Sequence, residues 1–158
     1  MPRIRRGDAR DARGAADCWL RARKASVGVI PAPVHDDEDV RGYFASHVVG
    51  DCELWVADDD GRVVGILVLN GEWVEQLYVD PDRWGLGIGS RLLDVAKRER
   101  PGGLQLWTFA SNAGARRFYE RHGFVDAERT DGRGNEERAA DVLYVFSAFA
   151  RGDAVPGE

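Results

Sequence analysis

The stretch VDPDRWGLGIGSRLL, Val79 to Leu93, places three glycines at alternate positions between an apolar run and a helix-like one. Glycine inside a regular element costs about 0.5–1 kcal/mol relative to alanine, so Gly85, Gly87 and Gly89 call for a backbone reason. The run before them, EWVEQLYV (72–79), reads as a strand whose pairing ends at Pro81. After them Ile88, Leu92, Leu93, Val95 and Ala96 fall at helical spacing, with Lys97, Arg98 and Arg100 toward the negative end and PGG as the stop. A strand that feeds a glycine-rich turn into a helix presents several backbone N–H groups at the positive end of the helix dipole, ready for phosphate oxygens. The GKS or GKT of a nucleotide-hydrolase loop is absent. A dinucleotide fingerprint is matched imperfectly by Gly85, Gly87 and Ser90, and LQLWTFAS ends without the acid that grips a ribose. A plain turn and a cradle for another phosphate stay open.

Outward from this loop the chain reads as mixed α/β with no internal repeat. Ile4 to Arg6 opens a strand, Asp8 and Asp11 suit the start of a helix carrying Ala12, Ala15, Ala16 and Trp19 on one face, and HDDEDVRGYF starts a second helix. ELWVADDDGRVVGILVLN reads as a hairpin about an Asp/Gly turn. LQLWTF is a strand, Ser111 begins a helix with Ala115, Phe118 and Tyr119 on one face, and Gly123 caps it. FVDAERT and DVLYVFSAF add two strands. The expected order is strand, two helices, three strands, helix, strand, helix, two strands.

With 158 residues, 44% hydrophobic and 31% charged, the chain suits one domain, residues 1–150, followed by a frayed tail at 151–158. A net charge of −5 without a basic stripe argues against nucleic acid as a partner. No apolar run approaches 18 residues and MPRIRRGDARDARG lacks the apolar core of a secretory signal, so no membrane partner and a cytoplasmic location are expected. Cys18 and Cys52 form no CxxC pair and no histidine stands at metal-ligand spacing, so reduced thiols and no metal are expected.

LYVDPDRWGLGIGSRLL (77–93), followed after one helix and one strand by TFASNAGARRFYERHGFV (108–125), resembles the paired motifs of the GNAT N-acetyltransferase superfamily. The resemblance runs from Val63 to Phe146; residues 1–50 match only in element order. It implies a single-domain α/β GNAT fold, a mixed central sheet of six to seven strands with flanking helices and a splayed cofactor cleft. It also implies acetyl-CoA as donor, with Gly85, Leu86, Gly87, Ile88, Gly89 and Ser90 forming the pyrophosphate loop and the backbone of Leu77, Tyr78 and Val79 pairing with the pantetheine arm as an added strand would. By the same resemblance Asn112 contacts pantetheine and Tyr119 lies near the thioester sulfur. The loop departs from the family pattern at Trp84, where Gln or Arg is usual, with Arg83 beside it.

Acetyl transfer to an amine needs a neutral nucleophile, since an alkyl amine with a pKa of about 10.4 is protonated at neutral pH. Strand alternation puts Glu75 on one face with Trp73, Leu77 and Val79, an isolated carboxylate in an apolar row and the candidate base. Tyr119 is the candidate acid for the departing thiolate, and a strand N–H near Val79 the oxyanion donor. The expected acceptor is a primary amine of a small molecule or peptide, attacked directly in a ternary complex. The DDED run lies in the segment that by resemblance borders the acceptor. A homodimer stays open. The alternative is a noncatalytic acyl-CoA-binding or interaction domain. Further candidates are Arg83, Arg91, Arg116 and Arg117 for coenzyme A phosphates; Trp55, Trp73 and Trp107 read as core, and His122 as a capping cation.

Overall fold

The computed structural model describes residues 1–147, so the expected tail lies outside the described residues. The elements are β1 (Arg3–Arg6), α1 (Ala12–Ala25), α2 (Asp37–Tyr43), α3 (Val49–Asp51), β2 (Glu53–Asp59), β3 (Arg62–Asn70), β4 (Trp73–Val79), α4 (Ile88–Glu99), β5 (Leu104–Phe109), α5 (Ala113–Arg121), β6 (Val125–Thr130) and β7 (Asp141–Phe146). The expected second helix is thus interrupted, because a π-helical turn at Phe44–Val48 separates α2 from α3.

Seven strands form one sheet in the order β1-β2-β3-β4-β5-β7-β6. Every neighbouring pair is antiparallel except β4 and β5, which run parallel. The β2–β3 hairpin closes through Asp60 and Gly61, both at positive φ (50° and 91°), the conformation a two-residue turn demands.

β3 reads as an unbroken apolar run because both its faces are covered, and Val63 through Leu69 are all buried. On one face Ala15, Ala16 and Trp19 of α1, with Val40 and Phe44, pack on Val56, Ile66 and Val68. On the other, Leu92, Leu93 and Ala96 of α4 pack on Leu67, Leu69 and Leu106. Helix α4 approaches so closely that a Cβ on Gly65 would stand 3.0 Å from Ile88 and 3.1 Å from Leu92.

Two irregularities in β4 shape the centre of the sheet. Val68 opposes Gln76 while Leu69 opposes Val74, so Glu75 is the extra residue of a β-bulge. Strand β4 then meets β5 in register only at Trp73 and Gln105, with the Gln105 N–H donating to the Glu72 carbonyl at 2.9 Å. Beyond that point the strands splay apart and open a cleft.

Candidate active site

The glycine turn sits at the mouth of this cleft, and its three glycines have different reasons. Gly85 (φ +80°) and Gly87 (φ +81°) occupy the left-handed region, which a side chain rarely adopts. Gly89 is already in the first turn of α4, where a Cβ would meet the Phe118 ring at 3.5 Å. No side chain caps α4 at Gly87, so the N–H groups of its first turn lack the intrahelical partners that later turns have. The base of the loop is fixed by Asp80, which is 2% exposed. Its carboxylate accepts from Arg21 (2.6 Å), Arg62 (2.9 Å) and the Asp82 N–H (3.3 Å). Burial opposes its ionisation, but the Arg21 guanidinium and the Asp82 N–H prevail and hold its carboxyl below the usual carboxylate range.

The cleft is a cavity of about 840 Å³. Leu77, Tyr78 and Val79 line it from β4; Gly85, Gly87, Ile88, Gly89 and Ser90 from the loop and α4; Asn112 and Tyr119 from α5. Leu86 stands exposed and outside the lining. Asn112 is the N-cap of α5, its Oδ1 accepting from the Ala115 N–H at 3.1 Å. The Ser90 hydroxyl is 3.0 Å from His122 Nε2. Burial and then Lys97 push the His122 imidazole below its ordinary pKa, so the expected capping cation is instead a neutral partner of Ser90. Tyr119 is 8% exposed, and burial followed by the proximity of Tyr78 raises its phenol well above the ordinary value.

The loop tryptophan makes a contact that its sequence position does not foretell. Trp84 Nε1 donates to the Val79 carbonyl at 2.8 Å, at the end of β4. Arg83 lines the cleft but is paired with Asp59 (2.8 Å) and Asp82 (3.2 Å), and Arg116 donates to the Tyr144 hydroxyl at 3.0 Å. Arg121, not anticipated from the sequence, lines the cleft.

The bulge overturns the expected company of Glu75. Leu77 and Val79 pack toward α4, whereas Glu75 reaches the opposite face, where it meets residues of the α2 segment. The extra residue shifts the alternation by one. Its Oε2 accepts from the Tyr43 hydroxyl at 3.3 Å and lies 3.3 Å from His47 Nε2, while Oε1 accepts from Asn70 Nδ2 at 2.8 Å. Burial, followed by the charge of Glu75, pushes the Tyr43 phenol up to about 12.

Tyr43 also lines a second cavity, of about 360 Å³, together with Trp19, Gln76, His35, Asp39 and Glu136. The tryptophan in this wall is Trp19, while Trp107 is 40% exposed rather than core. Of the DDED run, Asp36 caps α2, Asp37 pairs with Lys24 and Glu38 with Arg41, leaving Asp39 to face the cavity. Arg23, also in the lining, is buried, with its guanidinium 4.8 Å from the Trp19 ring and one Nη donating to the Pro31 carbonyl at 3.1 Å. β4 thus contributes Gln76 to one cavity and Leu77, Tyr78 and Val79 to the other.

Residues 50–126 match the sequence model of the acetyltransferase (GNAT) domain. The chain belongs to the GNAT superfamily. Peptidyl-lysine N-acetyltransferase YjaB of Salmonella typhimurium is 36% identical over 89 residues, 56% of this chain and 61% of that protein. The matched stretch thus spans about six tenths of that relative. The solution structure of apo YjaB from Escherichia coli superimposes with a TM-score of 0.73 at 22% identity, covering 92% of this chain and 97% of the other. The PaiA N-acetyltransferase of Thermoplasma acidophilum, solved in complex with coenzyme A, gives 0.67 at 15% identity, covering 93% and 99%. Both place this chain in the GNAT fold. Among the described residues no helix is long and apolar enough to cross a membrane.

Proposed function

We propose that this protein transfers the acetyl group of acetyl-CoA to a primary amine by direct attack within a ternary complex. One observation carries the reading: a single cleft unites an uncapped helix N-terminus behind a left-handed glycine turn, a strand edge that β5 leaves unpaired, Asn112 and Tyr119. The pyrophosphate of coenzyme A fits the α4 N-terminus, and the pantetheine arm fits beside Leu77, Tyr78 and Val79 as an added strand. A relative solved with coenzyme A has the same fold, which favours this occupant.

The amine enters from the smaller cavity, whose Asp39, Glu136 and Glu137 suit a cationic acceptor. A lysine side chain of a peptide fits this chemistry and agrees with the name of the Salmonella relative. Glu75 lines neither cavity, so it acts through Tyr43. The ammonium passes its proton to the Tyr43 oxygen as the Tyr43 hydrogen moves to Glu75 Oε2. The neutral amine then attacks the thioester carbonyl, the C–S bond breaks, and Tyr119 protonates the departing thiolate. A phenol raised by burial stays protonated at neutral pH, which suits a donor.

A screen of lysine peptides and small amines with acetyl-CoA, read by thiol release and product mass, tests this. Acetylated amine with one thiol per transfer is expected. Saturable coenzyme A binding with no transfer to any amine would replace the enzyme by an acyl-CoA-binding module.

A further inference from the structure

Beside the cleft, three ligand-type atoms from separate segments converge. His47 Nε2 comes from the π-helical turn, Cys52 Sγ from the residue preceding β2, and Glu75 Oε2 from the β4 bulge. Nε2 lies 3.4 Å from Sγ and 3.3 Å from Oε2, and Sγ lies 3.7 Å from Oε2. Zinc bonds of about 2.3 Å to sulfur and about 2.0–2.1 Å to nitrogen and oxygen set tetrahedral edges of roughly 3.3–3.6 Å. The three atoms therefore already outline one face of such a tetrahedron.

A second layer orients them. His47 Nδ1 is 3.2 Å from Asp51 Oδ2, so a proton held on Nδ1 leaves the Nε2 lone pair directed at the other two atoms. Asn70 donates to Oε1 of Glu75 at 2.8 Å, which turns Oε2, the oxygen that also accepts from Tyr43 at 3.3 Å, toward the centre. We propose that His47, Cys52 and Glu75 form a binding site for a zinc-class divalent cation, with the fourth position open to water or a small ligand. One imidazole, one thiolate and one carboxylate match the borderline softness of zinc and not the all-oxygen shells of magnesium or calcium. Thiolate and carboxylate together neutralise the dication.

Binding exchanges the Cys52 S–H bond for a sulfur–metal bond and sends the proton to solvent. Burial and the neighbouring Glu75 push the Cys52 thiol up to about 11, so at neutral pH close to one proton leaves per metal bound. Sequence spacing hides the site, because Glu75 arrives from a different strand. The proposal goes beyond acetyl transfer and does not rest on it. A cation on Oε2 takes the position that receives the Tyr43 proton, so the metal-bound form is expected to lack that relay.

Cobalt(II) titration of the reduced full chain tests it. One equivalent is expected to give tetrahedral ligand-field absorption with a thiolate-to-cobalt band, and zinc should bleach both. Cys18 is fully buried, so the band reports Cys52. Cys52→Ser should remove the band, and Asn70→Ala should weaken zinc by roughly 10- to 100-fold. An octahedral spectrum without the thiolate band, or zinc affinity unchanged in Cys52→Ser, overturns the site and leaves a hydrogen-bonded cluster. His47→Gln supplies the same reading should Cys52→Ser fail to fold.

Discussion

Tyr119 of α5 and Glu75 of β4, the acid and base proposed above, sit in contrasting environments. Tyr119 sits among apolar neighbours, and burial keeps its phenol protonated at neutral pH, as the proposed acid requires. Tyr119→Phe keeps the packing and removes only that proton, so turnover should fall by roughly 10²-fold with coenzyme A affinity unchanged. Steady-state kinetics beside calorimetric titration check this, and equal turnover with chemistry limiting makes Tyr119 a core aromatic. Glu75→Gln should flatten the ascending limb of the pH–rate profile, and Tyr43→Phe should do the same if the proton passes through the Tyr43 hydroxyl. A flattened limb in the first variant alone means that water carries the proton. The residue type at position 75 was legible in the sequence as a carboxylate in an apolar strand. Its direction was not, because a bulge depends on the register of β3, and alternation within EWVEQLYV carries no trace of it.

At the scale of elements, the glycine turn was the most legible feature, because backbone conformation leaves its mark on sequence when only glycine tolerates it. Gly85 and Gly87 both adopt positive φ. Gly87 has no atom within 4 Å of a would-be Cβ, so Gly87→Ala acts through φ alone. It should cost about 1–2 kcal/mol and turn the first N–H groups of α4 away from a phosphate. Coenzyme A affinity should drop at least about tenfold, well beyond the effect on stability at saturating ligand. Loss of melting temperature with intact affinity would place the pyrophosphate elsewhere. The α2 segment was less legible: HDDEDVRGYF predicted a helix start, and Asp36 caps it as charge patterning suggests. The π-helical turn that follows, which points His47 at Glu75, has no such signature, since its sequence FASHV is compatible with an ordinary helix.

For the whole molecule, the cleft exists because the sheet is paired at Trp73 and Gln105 and open beyond, so other contacts must hold its walls in place. Asp80 supplies two of these. Its carboxylate ties Arg21 of α1 and Arg62 of β3 to the base of the glycine turn, joining three segments that are distant in sequence. Such a cluster is invisible in a sequence holding 27 acids and 22 basic residues, where any pairing is combinatorially open. Its consequence is a defined pH dependence. The folded-state pKa of Asp80 is depressed below the unfolded value of about 3.9. Its contribution is therefore fully present above about pH 4 and is lost as pH falls through the folded value, the unfolded chain taking up the proton first. Asp80→Asn retains an N-cap for the turn at Pro81–Arg83 but removes the charge. Urea unfolding at neutral pH should show a loss on the order of 2 kcal/mol, the scale of hydrogen bonds to a charged group. The two proteins should then converge as pH falls below about 4, because the wild-type carboxyl becomes neutral too. A difference that stays constant across that range means the loss comes from amide packing and not from the charge. If convergence is accompanied by weaker coenzyme A binding in the variant at neutral pH, the clamp positions the loop as well as stabilising the fold. Unchanged binding would confine Asp80 to stability.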